Sequence, residues 1–276
     1  SRGLGDVYKR QGFELQLDGR IIDRAVKWDL GVNFSLNRSK VLVLSEDKDI
    51  FGGELDNTIL KDQLNLMRVG EPMYVFYGYV EDGYDENGHI VYKNMDDDPA
   101  ITAADKTIIG DPNPDFLVNL TTAVSYKGFT LSAFFQSSIG NDIYSLSMAA
   151  QAYDYGYNGN TLREVYYNHW TPENPTAKYP NLDQTSYKMS DRFVYDGSFV
   201  RLKNLELAYD VPCARSKFIK RARAYVSAQN LFTITSYPFW DPDINANGGG
   251  SSMIQGVDSY CYPSARTYTI GCRLTF

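Results

Sequence analysis

From Val26 to Asn37 the chain alternates without a break: Val26, Trp28, Leu30, Val32, Phe34 and Leu36 are apolar, and the residues between them are polar, charged or glycine. A period of two sustained this far predicts a strand with one apolar and one polar face. Length is the informative part. Strands of globular proteins run to about five or six residues, whereas a strand tilted across a bilayer needs about 9 to 11. The signature returns at Phe116 to Tyr126, with Phe116, Val118, Leu120, Val124 and Tyr126 on one face and Asn119, Thr121 and Ser125 on the other. Only Lys127 and Gly128 then intervene before Phe129, Leu131, Ala133 and Phe135 take up the same alternation, which predicts a hairpin closed by a tight turn. Further strands read at Gly12 to Asp18, Phe199 to Tyr209, Arg221 to Ile234 and Ala265 to Phe276. The parity breaks near Arg201 to Lys203, where a bulge or the end of the apolar zone is expected.

Between these strands lie long polar stretches, Ser45 to Asp115, Gly140 to Gly197 and Pro238 to Pro263. Connections of that size are uncommon in compact domains unless they carry function. Short turns on one side and long loops on the other are the habit of outer-membrane barrels, whose periplasmic turns are tight and whose extracellular loops are elaborate. The fold expected is therefore all-β, an antiparallel transmembrane β-barrel of which this chain supplies some of the strands. Residues 1–11, SRGLGDVYKRQ, lack the alternation and are expected to stand outside the fold as a leader, leaving 12–276 as barrel and loops. The chain opens without Met and without a charged n-region followed by an apolar h-region, so it reads as a fragment.

Composition sharpens this picture. No run approaches the 18 or so apolar residues of a spanning helix, which excludes a helical membrane protein. The aromatic share is 14%, and Tyr serves well where one end of a side chain is apolar and the other wet. A net charge of −7 removes nucleic acid as a partner. Cys213, Cys261 and Cys272 form no CxxC pair, so neither a disulfide framework nor a structural zinc site is expected.

Several ordered strings resemble those of SusC/RagA-type TonB-linked outer-membrane proteins: IIGDPNPDF from Ile108, YKGFTLSAFFQ from Tyr126, GNDIY from Gly140 and HWTPENP from His169. SDRFVYDGSFVRLKNLELAYDVP from Ser190, YVSAQNLFTIT from Tyr225 and the closing YPSARTYTIGCRLTF are similar in order and spacing. The resemblance covers nearly everything after Gln11. It implies the C-terminal strands of a large plugged barrel in the outer membrane of a Gram-negative bacterium of the Bacteroidota. It also implies TonB-dependent import of glycan oligosaccharides or peptides, a SusD-like surface lipoprotein as partner, and contact with the TonB complex through upstream sequence. Two other readings stay open, a soluble secreted carbohydrate-binding β-sandwich and a passive porin-like barrel.

Candidate chemistry is sparse. Asn94, Asp96, Asp98, Ala100, Thr102 and Asp105 occupy positions 1, 3, 5, 7, 9 and 12 of an EF-hand-like loop and are the candidate Ca²⁺ ligands. Pro99 stands where that loop wants Gly and Asp105 is shorter than the usual Glu, so a solvated acidic loop is the competing reading. Tyr155, Tyr157, Tyr166 and Trp170, with Tyr153 and Tyr167 beside them, make an aromatic-rich loop that either stacks on sugars or peptides or folds over the barrel mouth. Glu173 with Asp241 or Asp243 could be imagined as a glycosidase pair, but no other hydrolase element accompanies them and no catalytic residue is expected. His89 and His169 are expected on the surface, and Asn245 to Gly250, NANGGG, as a loop apex rather than a phosphate cradle.

Overall fold

The computed structural model describes residues 6–45, 48–56, 60–153, 160–213, 218–244 and 253–276. Seven long strands dominate: β1 (Val7–Asp23), β2 (Val26–Val43), β3 (Phe116–Tyr126), β4 (Phe129–Ile139), β5 (Phe199–Val211), β6 (Arg221–Thr235) and β7 (Thr267–Thr275). They form one antiparallel meander in chain order, β1 to β7. No described helix is long and apolar enough to cross a membrane.

The register aligns the alternating faces across the whole sheet. One ladder of partners runs Trp28, Val124, Leu131, Leu207, Val226, Ile270, apolar at every strand from β2 to β7. A second, Leu17, Val32, Leu120, Phe135, Leu202, Phe232, runs from β1 to β6. Most of these side chains are not packed against another layer: Ile270 is 87% exposed and Leu131 48%, whereas Leu202 is 5% exposed. A β-sandwich would bury such rows between two sheets; an apolar band open to its surroundings on long strands is what lipid requires.

Details of the strands follow from local chemistry. Lys127 and Gly128 both take positive φ, 47° and 86°, the combination that lets a two-residue turn match the twist of its strands. Register shifts at Phe134/Phe135 and at Leu202/Asn204 put a bulge at Lys203, as the broken parity predicts. β1 corrects the expected boundary. It begins at Val7, and Lys9, Arg10 and Gln11 pair with Lys40, Ser39 and Arg38 of β2, so residues 7–11 belong to the sheet and not to a leader. The alternation fades there because Lys9 to Gln11 and their partners Arg38 to Lys40 are polar on both faces, and a ladder of backbone hydrogen bonds needs no apolar face to continue. Residues 1–5 lie outside those described.

The long connections leave the same edge of the sheet and fold together into a cap. Val75–Gly78 pairs with Asn65–Met67 and Thr107–Gly110, and Asn65–Met67 pairs in turn with Ile50–Phe51, all within the first connection. Asp142–Ser145 of the second pairs with Val194–Asp196 and, in parallel, with Val257–Asp258 of the third. A helix, α1 (Leu146–Tyr153), buries nearly every residue in this cap. The main hydrophobic core of the chain lies here, with Phe76, Leu64 and Tyr79 from the first connection, Tyr144, Ala149 and Phe193 from the second and Val257 from the third.

Candidate substrate path and outer cap

The face of the sheet opposite the apolar band is polar from strand to strand. Asn33 of β2 is flanked by Gln16 and Asn119, and the row continues through Gln136 and Arg201 to Thr233. Lower on the same face Arg20 pairs with Asp29 at 2.8 Å, and Arg223 reaches Glu206 and Asp210, each at 3.3 Å. Where this wall meets the cap it carries two neighbouring cavities. A larger one of about 430 Å³ is lined by Arg10, Asn37, Arg38, Tyr74 and Asn113 among others. The smaller, about 260 Å³, includes Asn119, Gln136, Asn141 and Asp243, and the two share Pro114 and Leu117 as a common border.

Buried polar pairs fasten cap to wall and loop to loop. Arg201, only 1% exposed, is gripped by Asp241, by Asp243 at 3.2 Å, by Ser264 at 3.1 Å and by Thr233 at 2.9 Å. Burial alone would raise the Asp241 pKa. N–H donors from Ser264 and Asp243 and the Arg201 guanidinium outweigh that and hold it below the usual carboxylate range. Within the cap, Tyr237 donates to Asp258 at 2.6 Å and Asp258 is joined to Ser147 at 3.1 Å, tying the third connection to the second. Asn65, fully buried, donates to the Tyr74 and Gln255 carbonyls and accepts from the Gln255 N–H, tying the first to the third. Glu81 meets the Arg192 guanidinium through both carboxylate oxygens, tying the first to the second. These pairs fix the connections to one another and to the wall.

Comparison with known proteins decides what this wall belongs to. No protein-family model matches the chain. A TonB-dependent receptor of Formosa agariphila is 31% identical over 297 aligned positions, covering 100% of this chain and 29% of the relative. The TonB-dependent receptor SusC of Bacteroides thetaiotaomicron is 27% identical over 100% of this chain and 27% of its own length. Among solved structures, the RagAB peptide transporter superposes with a TM-score of 0.79 at 25% identity, over 98% of this chain and 29% of that one. Along nearly its whole length the chain is similar to a segment of the SusC/RagA-like TonB-dependent receptors. It spans between 27% and 31% of the curated relatives it matches. Its long strands are barrel strands of the outer membrane, and the relatives are receptors and transporters rather than enzymes.

The fold places the site residues expected from the sequence unevenly. Asn94, Asp96, Asp98, Ala100, Thr102 and Asp105 do share one loop, but its oxygens turn onto its own backbone. Asp96 N–H donates to Asn94, Asp98 N–H to Asp96 and Ala100 N–H to Asp98, at 3.1, 2.8 and 3.0 Å. Asp105, 0% exposed, accepts from Met95 and Thr102 N–H, both at 2.7 Å, and these bonds hold its carboxyl below its ordinary pKa. Among the described residues no group of three or more His, Cys, Asp or Glu is gathered to hold a metal ion.

The aromatic loop divides. Tyr155 and Tyr157 lie outside the described residues. Tyr153 is core, stacked on Tyr187 at 3.7 Å, and Trp170 lies over Gly88, while Tyr166 and Tyr167 are exposed. Both histidines lie at the surface with partners: His89 bonds Asp183 at 2.8 Å and His169 meets the Tyr166 carbonyl at 2.7 Å. Asp241 and Asp243 both answer to Arg201, and no hydrogen bond or ion pair among the described residues joins either to exposed Glu173. Asn245 to Gly250 lie outside the described residues. Sequence reasoning missed Arg201, Asn65 and the cavity at Arg10, whose partners stand far away in the chain; the parity break at Arg201 is the only local signal any of them leaves.

Proposed function

We propose that this segment forms part of the wall and the outer cap of a TonB-driven importer that takes up peptides or glycan oligosaccharides together with a SusD-like surface lipoprotein. The observation that carries the reading is the continuous polar wall, roofed at its outer end by three interlocked connections and backed by an apolar band suited to lipid. Its likeness to RagAB is nearly the same in the open-open state, TM-score 0.77, and the closed-closed state, 0.80. Ligand is captured by the lipoprotein and the outer loops, a plug supplied by the remainder of the receptor rearranges under TonB, and the ligand passes along the polar wall. No bond in the ligand is made or broken. The SusD-like partner, the TonB contact and the C-terminal placement of the segment belong to this proposal.

The full-length receptor, expressed in its own outer membrane, tests it. Labelled peptides and oligosaccharides enter cells with an intact TonB system and are excluded when TonB is deleted. Uptake that persists undiminished without TonB refutes energy coupling and favours a passive pore.

A further inference from the structure

The larger wall cavity has a lining whose chemistry points one way. In a chain of net charge −7, its walls carry Arg10 and Arg38 and no Asp or Glu. Arg38 is matched by Asp115 at 2.7 Å, at the rim. Arg10 has no carboxylate partner among the described residues; its contacts are the Met73 sulfur at 3.7 Å and the ring of Tyr8 at 5.5 Å. On the same face of β1 the next charged residue, Glu14, stands four positions along, about 13 Å away by strand geometry, and is not part of the lining.

The neutral groups are biased as well. Ser39 Oγ already accepts the Met73 N–H at 3.2 Å, and Ser35 Oγ accepts the Asn37 amide at 3.0 Å. Each hydroxyl therefore has its own hydrogen left to give. With two arginines and no carboxylate the lining carries a net positive charge, and the Ser39 hydroxyl, paired across the strands with Arg10, keeps a donor free beside it.

We propose that this cavity is a subsite of the import path that takes an anionic, carboxylate-bearing part of the ligand, held by the Arg10 guanidinium with Ser39, its cross-strand partner, donating beside it. A planar guanidinium offers a carboxylate two parallel N–H bonds, which a lysine at the same place would not. The assignment rests on the import reading above and adds a selectivity to it: acidic ligands are favoured over neutral ones of equal size.

The test uses the purified full-length receptor with its lipoprotein partner, incubated with an equimolar mixture of five-residue peptides and of oligosaccharides with and without a carboxylate. Bound species are read by mass spectrometry. The wild type enriches the carboxylate-bearing members, Arg10→Ala lowers that enrichment about tenfold while capture of neutral members is unchanged, and Arg10→Lys recovers part of it. Capture by the wild type without acid preference, or a preference that survives Arg10→Ala, overturns the subsite and leaves the importer standing. A wild type that captures nothing and imports nothing overturns the importer itself.

Discussion

Arg201 sits where the wall meets its roof, and its charge is satisfied only by residues that arrive forty positions later in the chain. Removing one partner of a buried ion pair leaves the other uncompensated, at about 3–5 kcal/mol. Arg201→Ala is therefore expected to release the 236–265 connection from the wall, seen as faster hydrogen exchange there while the strands stay protected. The pair also sets a pH window. Asp241 is held below its ordinary pKa, so its contribution is complete above about pH 4 and is lost as pH falls through its folded value. Protection factors of the same segment, with the intrinsic pH dependence of exchange divided out, should fall on acidification in the wild type and change little further in Arg201→Ala. Nothing in the sequence singled out this pairing, because sequence spacing cannot say which of many loop carboxylates a strand arginine will meet.

At the scale of the strand, sequence and structure agree closely because lipid and lumen impose a rule that every second residue obeys. Leu120 lies in an apolar ladder and Thr121, its neighbour, on the polar face opposite Gly31 and beside Asp18. Leu120→Arg would place a charge against lipid at about 2–4 kcal/mol and should abolish assembly of the full-length receptor, whereas Thr121→Arg should be tolerated. Heat-modifiable migration in gels reads the outcome, and equal effects would discard the face assignment. The rule fails at strand ends. Residues 7–11 carry no alternation, so only the ladder with β2 reveals that they are strand.

The whole molecule holds the largest departure from a reading of the sequence. Its polar connections contain a packed core, and a pattern search misses it because the core is assembled from short segments on three separate connections, none long enough to show a period. Phe76 illustrates the assembly. It is fully buried in the first connection, meets Tyr144 of the second at 6.2 Å, and lies so near Gly256 of the third that a Cβ there would come within 2.8 Å of its ring. Phe76→Ala should cost about 3–5 kcal/mol locally and expose all three connections to protease at once, with the barrel strands still resistant. Cleavage confined to the first connection would argue against a shared core.

Three interlocked connections also set how the mouth behaves in time. Flaps anchored separately would drift through many partial openings, each admitting something different. Connections that share one interior are expected to move together or not at all, so in the proposed importer the timing of opening would be common to every ligand, and selectivity would fall to the wall.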